Sequence, residues 1–177
     1  FRDIVQEFGY YDLFLIDNNG NIVYSVFKEV DFATSLLLGP YSRSSLATAY
    51  KDAQKQNSGY VAIADFSFYE PSYGFPAAFM ATPLYDGTNL VGVMAIQVPV
   101  DEVNQVMTND ANWRADGLGE TGETFLVGSD LKMRSDSRLL IEDAEAYYEA
   151  LNRQQVNTED TTKIKALETS VLNQPAN

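Results

Sequence analysis

The sequence predicts an α+β domain in which five antiparallel strands carry helices on one face. The first observation behind this class is that short runs of aromatic and β-branched residues recur over residues 11–98, separated by turn residues. The second is an amphipathic, helix-like stretch between the second and third runs. Apolar residues make up 45% of the 177-residue chain, enough for a globular core despite a formal charge of −13.

The first two predicted strands form a hairpin. Residues 11–16 and 21–26 flank a turn at residues 17–20, whose Asn-Gly step accepts the positive φ of tight hairpin turns. The oxygen-bearing side chains of this turn alternate like the start of a calcium loop. Its glycine, however, stands at the fourth position instead of the sixth, and Lys28 occupies the place of the bidentate Glu. We therefore predict a turn here and no metal.

A polar-to-apolar connector over residues 28–39 leads to the predicted helix. The Gly-Pro step at residues 39–40 stops the connector, and either Ser42 or Ser44 can cap the helix that follows. Apolar side chains recur on one face of this helix to about residue 55, so it is expected to lie across the sheet.

Three further strands complete the predicted sheet. They cover residues 60–66, 76–83 and 90–98, and the turn at residues 86–89 joins the last two as a hairpin. Asp101 then caps a short helix. The gap beneath the long connection between the second and third strands is a natural place for a small-molecule pocket.

After Asn109 the pattern restarts. Residues 124–127 and 131–134 predict a second hairpin, and two amphipathic segments follow it around residues 144–151 and 164–171. A hairpin and two helices cannot complete a second sheet. The predicted organisation is therefore one sheet module over residues 1–107 and the start of a second, truncated module over residues 108–177.

The composition excludes several kinds of function. With no Cys and no His, the chain has no disulfide, no thiolate or imidazole metal site and no Ser-His-Asp triad. Its negative charge repels phosphate backbones, so no nucleic-acid partner is expected. The apolar run at residues 90–100 is too short to cross a bilayer. The chain opens at Phe1 without a signal-like segment, and we expect it to be part of a longer protein.

Candidate ligand-binding side chains lie mainly around the aromatic-rich loop at residues 65–76. Rigid aromatic walls with a few polar groups are typical of small-ligand sites, although these aromatics could instead cover one sheet edge. Arg43, beside Tyr41, could pair with a ligand carboxylate or with one of the many surface acids. Gln97 is a polar amide on an apolar strand and needs a partner, either in the pocket or on the exposed face. The predicted set is Tyr41, Arg43, Asp65, Phe66, Tyr69, Tyr73, Phe79 and Gln97.

Several stretches resemble one known family. The sequence is similar to the Cache domains over four consecutive features. These are residues 61–65, the Tyr/Pro/Ser loop that follows them, a proline-containing strand at 81–86 and a glycine-bearing last strand at 91–97. Cache domains are PAS-like extracytoplasmic sensors of bacterial chemoreceptors, sensor kinases and membrane cyclases. Residues 119–127 and 133–138 resemble the opening of the membrane-proximal module in two-module sensors of this kind.

The resemblance implies a PAS-like sheet that senses a small-molecule metabolite in the periplasm, for signal transduction such as chemotaxis. It implies flanking transmembrane helices absent from this piece, no cofactor, and a homodimer as one possible assembly. In amino-acid-binding members, an aromatic and an Arg precede the helix, where Tyr41 and Arg43 stand, and a middle acid corresponds to Asp65. Gln97 stands where the last acid would be, and no Trp follows Arg43. The ligand chemistry is therefore left open.

A sensing role without catalysis is the function that these observations favour. One alternative is a structural or dimerisation module of such a receptor, with a filled interior and no ligand of its own. The other is a carboxylate-based hydrolase, which requires two acids facing each other across one cleft.

Overall fold

The computed structural model describes residues 1–153 of the chain, so the amphipathic segment predicted at residues 164–171 lies outside it. The chain divides into two compact units between Glu102 and Val103. Unit 1 contains the sheet, and unit 2 begins at Val103. The module boundary predicted at residue 107 falls within the helix that spans this division.

Unit 1 is built on a five-stranded sheet whose neighbouring strands are all antiparallel, in the order β2-β1-β5-β4-β3. The predicted α+β, PAS-like sheet is therefore confirmed. Its strands are β1 (Asp12–Ile16), β2 (Ile22–Ser25), β3 (Ala62–Phe68), β4 (Pro76–Asp86) and β5 (Asn89–Val98). The helices of this part of the chain are α1 (Arg2–Glu7), α2 (Ser45–Ala53) and α3 (Val100–Thr108).

Helix α2 covers one face of the sheet, which we call the inner face. Ser44 caps it by accepting a 3.1 Å hydrogen bond from the Ala47 amide, which confirms one of the two predicted caps. The buried side of α2, including Leu46 and Tyr50, packs in the same core as Phe14 and other inner-face residues of the sheet. Burial of this apolar stripe, more than helix propensity, holds so short a helix in place.

Strand β5 approaches β1 closely at Gly92. A Cβ atom added there would lie 2.5 Å from the carbonyl oxygen of Ile16, so only glycine fits without movement of the backbone. Further along the same pair of strands, Asp12 is directly opposite Gln97, and Gln97 is opposite Phe79 on β4. Directly opposed residues share a face, so these three side chains form a row on the inner face.

The connector between β2 and α2 folds back along the first hairpin. The Leu36 amide donates to the Gly20 carbonyl at 2.7 Å, and the Ile22 amide donates to the Thr34 carbonyl at 3.0 Å. Leu36 and Asp31 are fully buried, whereas Phe27 and Val30 between β2 and Asp31 are exposed. The connector therefore turns a carboxylate, as well as apolar side chains, toward the interior.

Unit 2 contains two further helices, α4 (Arg138–Glu142) and α5 (Ala144–Arg153). Helix α5 confirms the first predicted amphipathic segment, whereas α4 was not predicted. The second hairpin was predicted as two strands, but within the described residues it is reduced to a single bridge between Val127 and Met133. Leu131 has a positive φ, and Leu126 and Leu131 are exposed. The extended backbone expected for residues 131–134 is therefore interrupted at Leu131.

The chain's single Trp marks the interior of unit 2. Trp113 is buried, and the guanidinium carbon of Arg138 lies 4.8 Å from its ring centroid. Arg138 also donates to the carbonyls of Gly119 and Gly122 at 3.0 and 2.9 Å. Among the helices of residues 1–153, none has the length and apolar composition of a membrane-spanning segment.

Candidate ligand-binding site

A group of polar side chains is buried at the Asp12 end of the inner face. Strand β1 contributes Asp12, strand β5 contributes Gln97, and the connector contributes Asp31 together with the half-buried Glu29. A short 3₁₀ turn at Glu70–Ser72, between β3 and β4, contributes Ser72 and the preceding Tyr69. We call this set the inner polar cluster: Asp12, Glu29, Asp31, Tyr69, Ser72 and Gln97.

The cluster is joined by hydrogen bonds that link the sheet, the connector and the 3₁₀ turn. Gln97 Nε2 donates to Ser72 Oγ at 3.0 Å, and Ser72 Oγ donates to Glu29 Oε2 at 3.0 Å. The other Glu29 oxygen accepts from the Tyr11 hydroxyl at 2.8 Å. The Gln97 amide therefore has its hydrogen-bond partner in the interior and not on the exposed face, which is one of the two alternatives that the sequence left open.

One carboxylate oxygen of Asp12 accepts hydrogen bonds from backbone amides. Asp12 Oδ1 accepts hydrogen bonds from the amides of Leu13, Val26 and Phe27 at 2.6, 2.9 and 3.4 Å. The carboxylate thus holds the chain as it leaves β2 and enters the connector. Its second oxygen, Oδ2, is buried and makes no hydrogen bond to any of residues 1–153.

In the described part of the chain, Asp31, like Asp12, has one carboxylate oxygen that accepts a hydrogen bond and one that does not. Its Oδ2 accepts a 2.5 Å hydrogen bond from the hydroxyl of Tyr69, while its Oδ1 is buried and has no hydrogen-bond partner within residues 1–153. In that part of the chain, neither Asp12, Glu29 nor Asp31 forms an ion pair with a Lys or Arg. Two buried carboxylates therefore each keep one unsatisfied oxygen, an arrangement that costs free energy unless a donor or a cation is supplied.

Burial alters the titration of these groups. Desolvation, opposed by the three backbone amides and reinforced by the charge of Asp31, raises the pKa of Asp12 to about 6. Desolvation also raises the pKa of Asp31 against the opposing effect of the hydrogen bond from Tyr69, and the nearby charge of Glu29 adds to the rise. The pKa of the Tyr69 phenol is raised by its burial and by the charge of Asp31, so it stays a hydrogen-bond donor. The cluster is thus a site of negative potential that favours either protons or a cationic group.

Aromatic side chains line the apolar side of the cluster. Tyr69 and Phe79 meet edge to face with ring centroids 4.9 Å apart, and Phe79 lies 6.2 Å from Phe14. Tyr41 is partly buried against the same core. Aromatic rings of this kind pack against hydrocarbon chains and can accept a cation over the ring face.

The structure brings together some of the predicted site residues and separates others. Tyr69 and Gln97 belong to the inner polar cluster, Phe79 and Tyr41 lie in or against the adjoining core, and Phe66 is buried on β3. The other predicted residues, Arg43, Asp65 and Tyr73, are exposed.

The exposed positions follow from strand alternation and turn geometry. Asp65 stands between the buried Ala64 and Phe66, so it points away from the inner face, and its Oδ1 accepts a hydrogen bond from the Phe66 amide at 2.7 Å. Tyr73, with φ of 56°, follows the 3₁₀ turn in the left-handed region, and 86% of it is accessible to solvent.

Four members of the cluster were not predicted: Asp12, Glu29, Asp31 and Ser72. For Asp12 a signal was present in the sequence, because period-two alternation places it on the same face as Phe14 and Ile16. A carboxylate on the buried face of a strand requires a compensating partner. Glu29 and Asp31 lie in an irregular connector, where no periodicity indicates which side chains turn inward.

The opposite, outer face of the sheet has a shallow cavity of about 220 Å³. Its lining is apolar and includes Met80 and Thr82 on β4, Met94 and Ile96 on β5, and Val61. It has none of the polar groups of the inner face. Nor do residues 1–153 contain a group of His, Cys, Asp or Glu side chains arranged to hold a metal ion.

The inner polar cluster is thus carried by a five-stranded antiparallel sheet in the order β2-β1-β5-β4-β3, with a connector and a helix over its inner face. Among solved structures, one similar chain is the ligand-binding domain of the Pseudomonas aeruginosa amino acid chemoreceptor PctC in complex with GABA. The match has a TM-score of 0.52 and 15% identity, and it covers 80% of this chain and 54% of that one. The sensory domain of the Campylobacter jejuni chemoreceptor Tlp3 also matches, with a TM-score of 0.52 and 13% identity over 76% of this chain and 48% of that one.

The ligand-binding domain of the Pseudomonas fluorescens chemoreceptor CtaA, in complex with L-leucine, matches 72% of this chain with a TM-score of 0.49 and 16% identity. The chain spans about half the length of these structures, 46% in the case of CtaA. No protein-family model matches the sequence, and no curated protein matches it either. At these identities the similarity establishes the fold, which agrees with the predicted resemblance to chemoreceptor sensors.

Proposed function

We propose that this chain is a small-molecule-sensing domain of a bacterial signal-transduction receptor, located outside the cytoplasmic membrane. Its ligand site is the inner polar cluster. The observation that carries this proposal is the pair of buried carboxylate oxygens, Asp12 Oδ2 and Asp31 Oδ1, that have no hydrogen-bond partner within residues 1–153. The similar chain PctC is complexed with GABA, a small molecule.

Ligand binding at this position acts on several elements at once. Ser72 bridges the sheet and the connector through Gln97 and Glu29, and Tyr69 joins the 3₁₀ turn to Asp31. Because Asp12 and Asp31 are fully buried, the 3₁₀ turn or the connector moves to admit a ligand. A ligand that contacts Asp31 differently in the open and closed arrangements shifts the balance between them, which is the basis of a signal.

The test is a thermal-shift screen of the 177-residue protein against amino acids, amines and organic acids at pH 7.5. A ligand of the cluster raises the melting temperature in a saturable way, because it binds the folded state. Asp31→Asn then abolishes the shift, whereas Asp86→Asn, at the exposed β4–β5 turn, leaves it unchanged. A saturable ligand whose shift survives Asp31→Asn but is lost in Arg43→Ala and Asp65→Ala contradicts the cluster assignment and supports the earlier predicted residues.

A second candidate is a structural or dimerisation module without a ligand. The observation that favours it is the complete burial of Asp12, Asp31 and Tyr69. This candidate predicts no saturable stabilisation by any compound in the screen and a concentration-dependent dimer in analytical ultracentrifugation. Catalysis is not part of either proposal, because both buried acids lie beneath covering elements and not on the walls of an open cleft.

A further inference from the structure

We propose that the ligand of the inner polar cluster is a cationic amine that carries no carboxylate, with an alkyl diamine as the best fit. This inference rests on the proposed function and deepens it by naming the ligand class. It sets the chain apart from the similar domains that are complexed with GABA and amino acids, all of which carry a carboxylate.

The charge of the cluster is the first reason. Asp12, Glu29 and Asp31 bring three carboxylates to one end of the inner face, and the side-chain donors that reach them are neutral: Tyr11, Tyr69 and Ser72. The three carboxylates form no ion pair with a Lys or Arg of residues 1–153. A cation supplied by the ligand therefore meets uncompensated negative charge.

The unpartnered oxygens are the second, independent reason. Asp12 Oδ2 and Asp31 Oδ1 belong to fully buried side chains on different elements, and each can accept an N–H bond. The hydrogen bond from Tyr69 to Asp31 and the edge-to-face packing of Tyr69 on Phe79 bring Asp31 to the row of side chains that contains Asp12. An ammonium group offers three donors and a positive charge, which is what such oxygens lack. Because the oxygens belong to two side chains on different elements, a ligand with two ammonium groups can donate to both.

The absence of a matching group for a carboxylate is the third reason. A buried ligand carboxylate needs a cation or several donors to offset its desolvation. The basic side chains of residues 1–102 do not supply one: Arg2, Lys28, Arg43 and Lys55 are exposed, and Lys51 donates to the Ser42 carbonyl. Beside Asp12 and Asp31, a ligand carboxylate would add repulsion. The aromatic wall of Phe14 and Phe79 suits a methylene chain instead.

Three probes with the same four-carbon chain separate the effects of a second amine and of a carboxylate on binding. They are 1,4-diaminobutane, n-butylamine and 4-aminobutyrate (GABA), and isothermal titration of the 177-residue protein at pH 7.5 and low ionic strength measures their affinities. We expect 1,4-diaminobutane to bind most tightly and n-butylamine next. We expect GABA to bind at least about tenfold more weakly than either amine. Tighter binding of GABA, or of any amino acid, than of both amines overturns the inference.

Conservative variants locate the binding. Asp12→Asn and Asp31→Asn keep the shape of the side chains and should each weaken 1,4-diaminobutane by about tenfold or more, whereas the surface variant Asp86→Asn should leave its affinity unchanged. Circular dichroism and thermal unfolding establish that each variant is folded. Unchanged diamine affinity in folded Asp12→Asn and Asp31→Asn also overturns the inference.

Proton release provides a readout on the unmodified protein. The titratable groups around the proposed site are Asp12 on β1 with the preceding Tyr11, Glu29 and Asp31 on the connector, Tyr69 before the 3₁₀ turn and Tyr41 before α2. Because the pKa of Asp12 is raised to about 6, an amine bound at pH 6 displaces protons from the cluster. Titrations in two buffers of different ionisation enthalpy measure that release, and an amine that binds at pH 6 without it contradicts the proposed site.

The outcomes distinguish this inference from the function on which it rests. If no amine binds but another metabolite stabilises the protein through Asp31, the amine inference is wrong and the sensing function stands. If neither the amines nor any compound of the screen binds, both are wrong.

Discussion

Tyr69 and Asp31, 38 residues apart in the sequence, are joined inside unit 1 by a 2.5 Å hydrogen bond from the Tyr69 hydroxyl to Asp31 Oδ2. Both side chains are fully buried, and within residues 1–153 this is the one hydrogen bond that the Asp31 carboxylate makes with another side chain. The bond ties the turn between β3 and β4 to the connector. It also leaves the other Asp31 oxygen as one of the two acceptors on which the proposed site depends.

We expect Tyr69→Phe to lower the free energy of unfolding by about 1–3 kcal/mol at pH 7.5, because it leaves a buried carboxylate without its donor. Urea denaturation followed by circular dichroism measures the change. Tyr60→Phe is the matched control, since the Tyr60 hydroxyl bonds to Asp52 at the surface and its loss should cost less than about 0.5 kcal/mol.

The Tyr69→Phe penalty should shrink in an Asp31→Asn background, because an unpaired amide is easier to bury than an unpaired charge. A penalty of the same size in both backgrounds would show that the lost hydrogen bond to Asp31 is not the cause.

The raised pKa of Asp12 predicts a pH dependence of stability with a definite sign. The folded state keeps this proton up to about pH 6, whereas the unfolded chain loses it near pH 4, so the contribution of Asp12 to stability falls as pH rises from about 4 to about 6. Asp12→Asn removes that loss and still offers an acceptor to the Leu13 and Val26 amides. Its free energy of unfolding relative to the unmodified protein should therefore rise by roughly 2–3 kcal/mol between pH 4 and pH 7.

Chemical denaturation at pH steps of half a unit measures this difference, and Asp86→Asn at the exposed turn controls for the loss of one negative charge. A difference between Asp12→Asn and the unmodified protein that stays constant over this range would contradict the assigned titration.

Gly92→Ala should weaken the pairing of β1 with β5. The added Cβ would lie 2.5 Å from the Ile16 carbonyl oxygen, a backbone atom that cannot rotate away. We expect a loss of about 1–3 kcal/mol in the free energy of unfolding and faster amide hydrogen exchange at Leu15 and Met94, which pair across the two strands. The control is Val91→Ala, which truncates an exposed neighbour. Equal effects of the two substitutions would argue against a close approach at Gly92.

Arg138→Lys should loosen the interior of unit 2. Lysine lacks the planar fork with which Arg138 reaches the carbonyls of Gly119 and Gly122 while covering Trp113. Because Trp113 is the only Trp of the chain, its fluorescence reports this change directly. We expect a shifted emission maximum and a lower unfolding midpoint by fluorescence. Arg114→Lys, whose ion pair with Glu120 is exposed, should change neither.

The sequence predicted those parts of the fold that depend on neighbouring residues. The Asn-Gly turn at residues 19–20 and the turn at residues 86–89 delimit strands that the structure confirms, and Ser44 marks the start of α2. Helices α1 and α4 were missed, because elements of one to two turns are too short to show a period of 3.6 residues.

The site was less predictable, because its members meet only through tertiary structure. Tyr69 was predicted as one of the aromatic walls of a pocket and Gln97 as an amide that needs a partner, and both belong to the cluster. Asp65 was predicted as the acid of the site, but the alternation along β3 turns it outward, while Asp31 reaches the interior from an irregular connector. Neither propensity nor periodicity determines which side of such a connector faces a sheet.

The strand order also has a consequence for how the protein is made. Strand β1 lies between β2 and β5, so Asp12 finds its partner Gln97 only after nearly all of unit 1 has been synthesised. Until then Phe14 and the rest of the inner face of the first hairpin have no completed sheet to join. Such non-local pairing slows folding and exposes a strand edge to other nascent chains. We therefore expect a nascent chain that ends before β5 to require a chaperone, and release of β5 to be the event that ends this requirement.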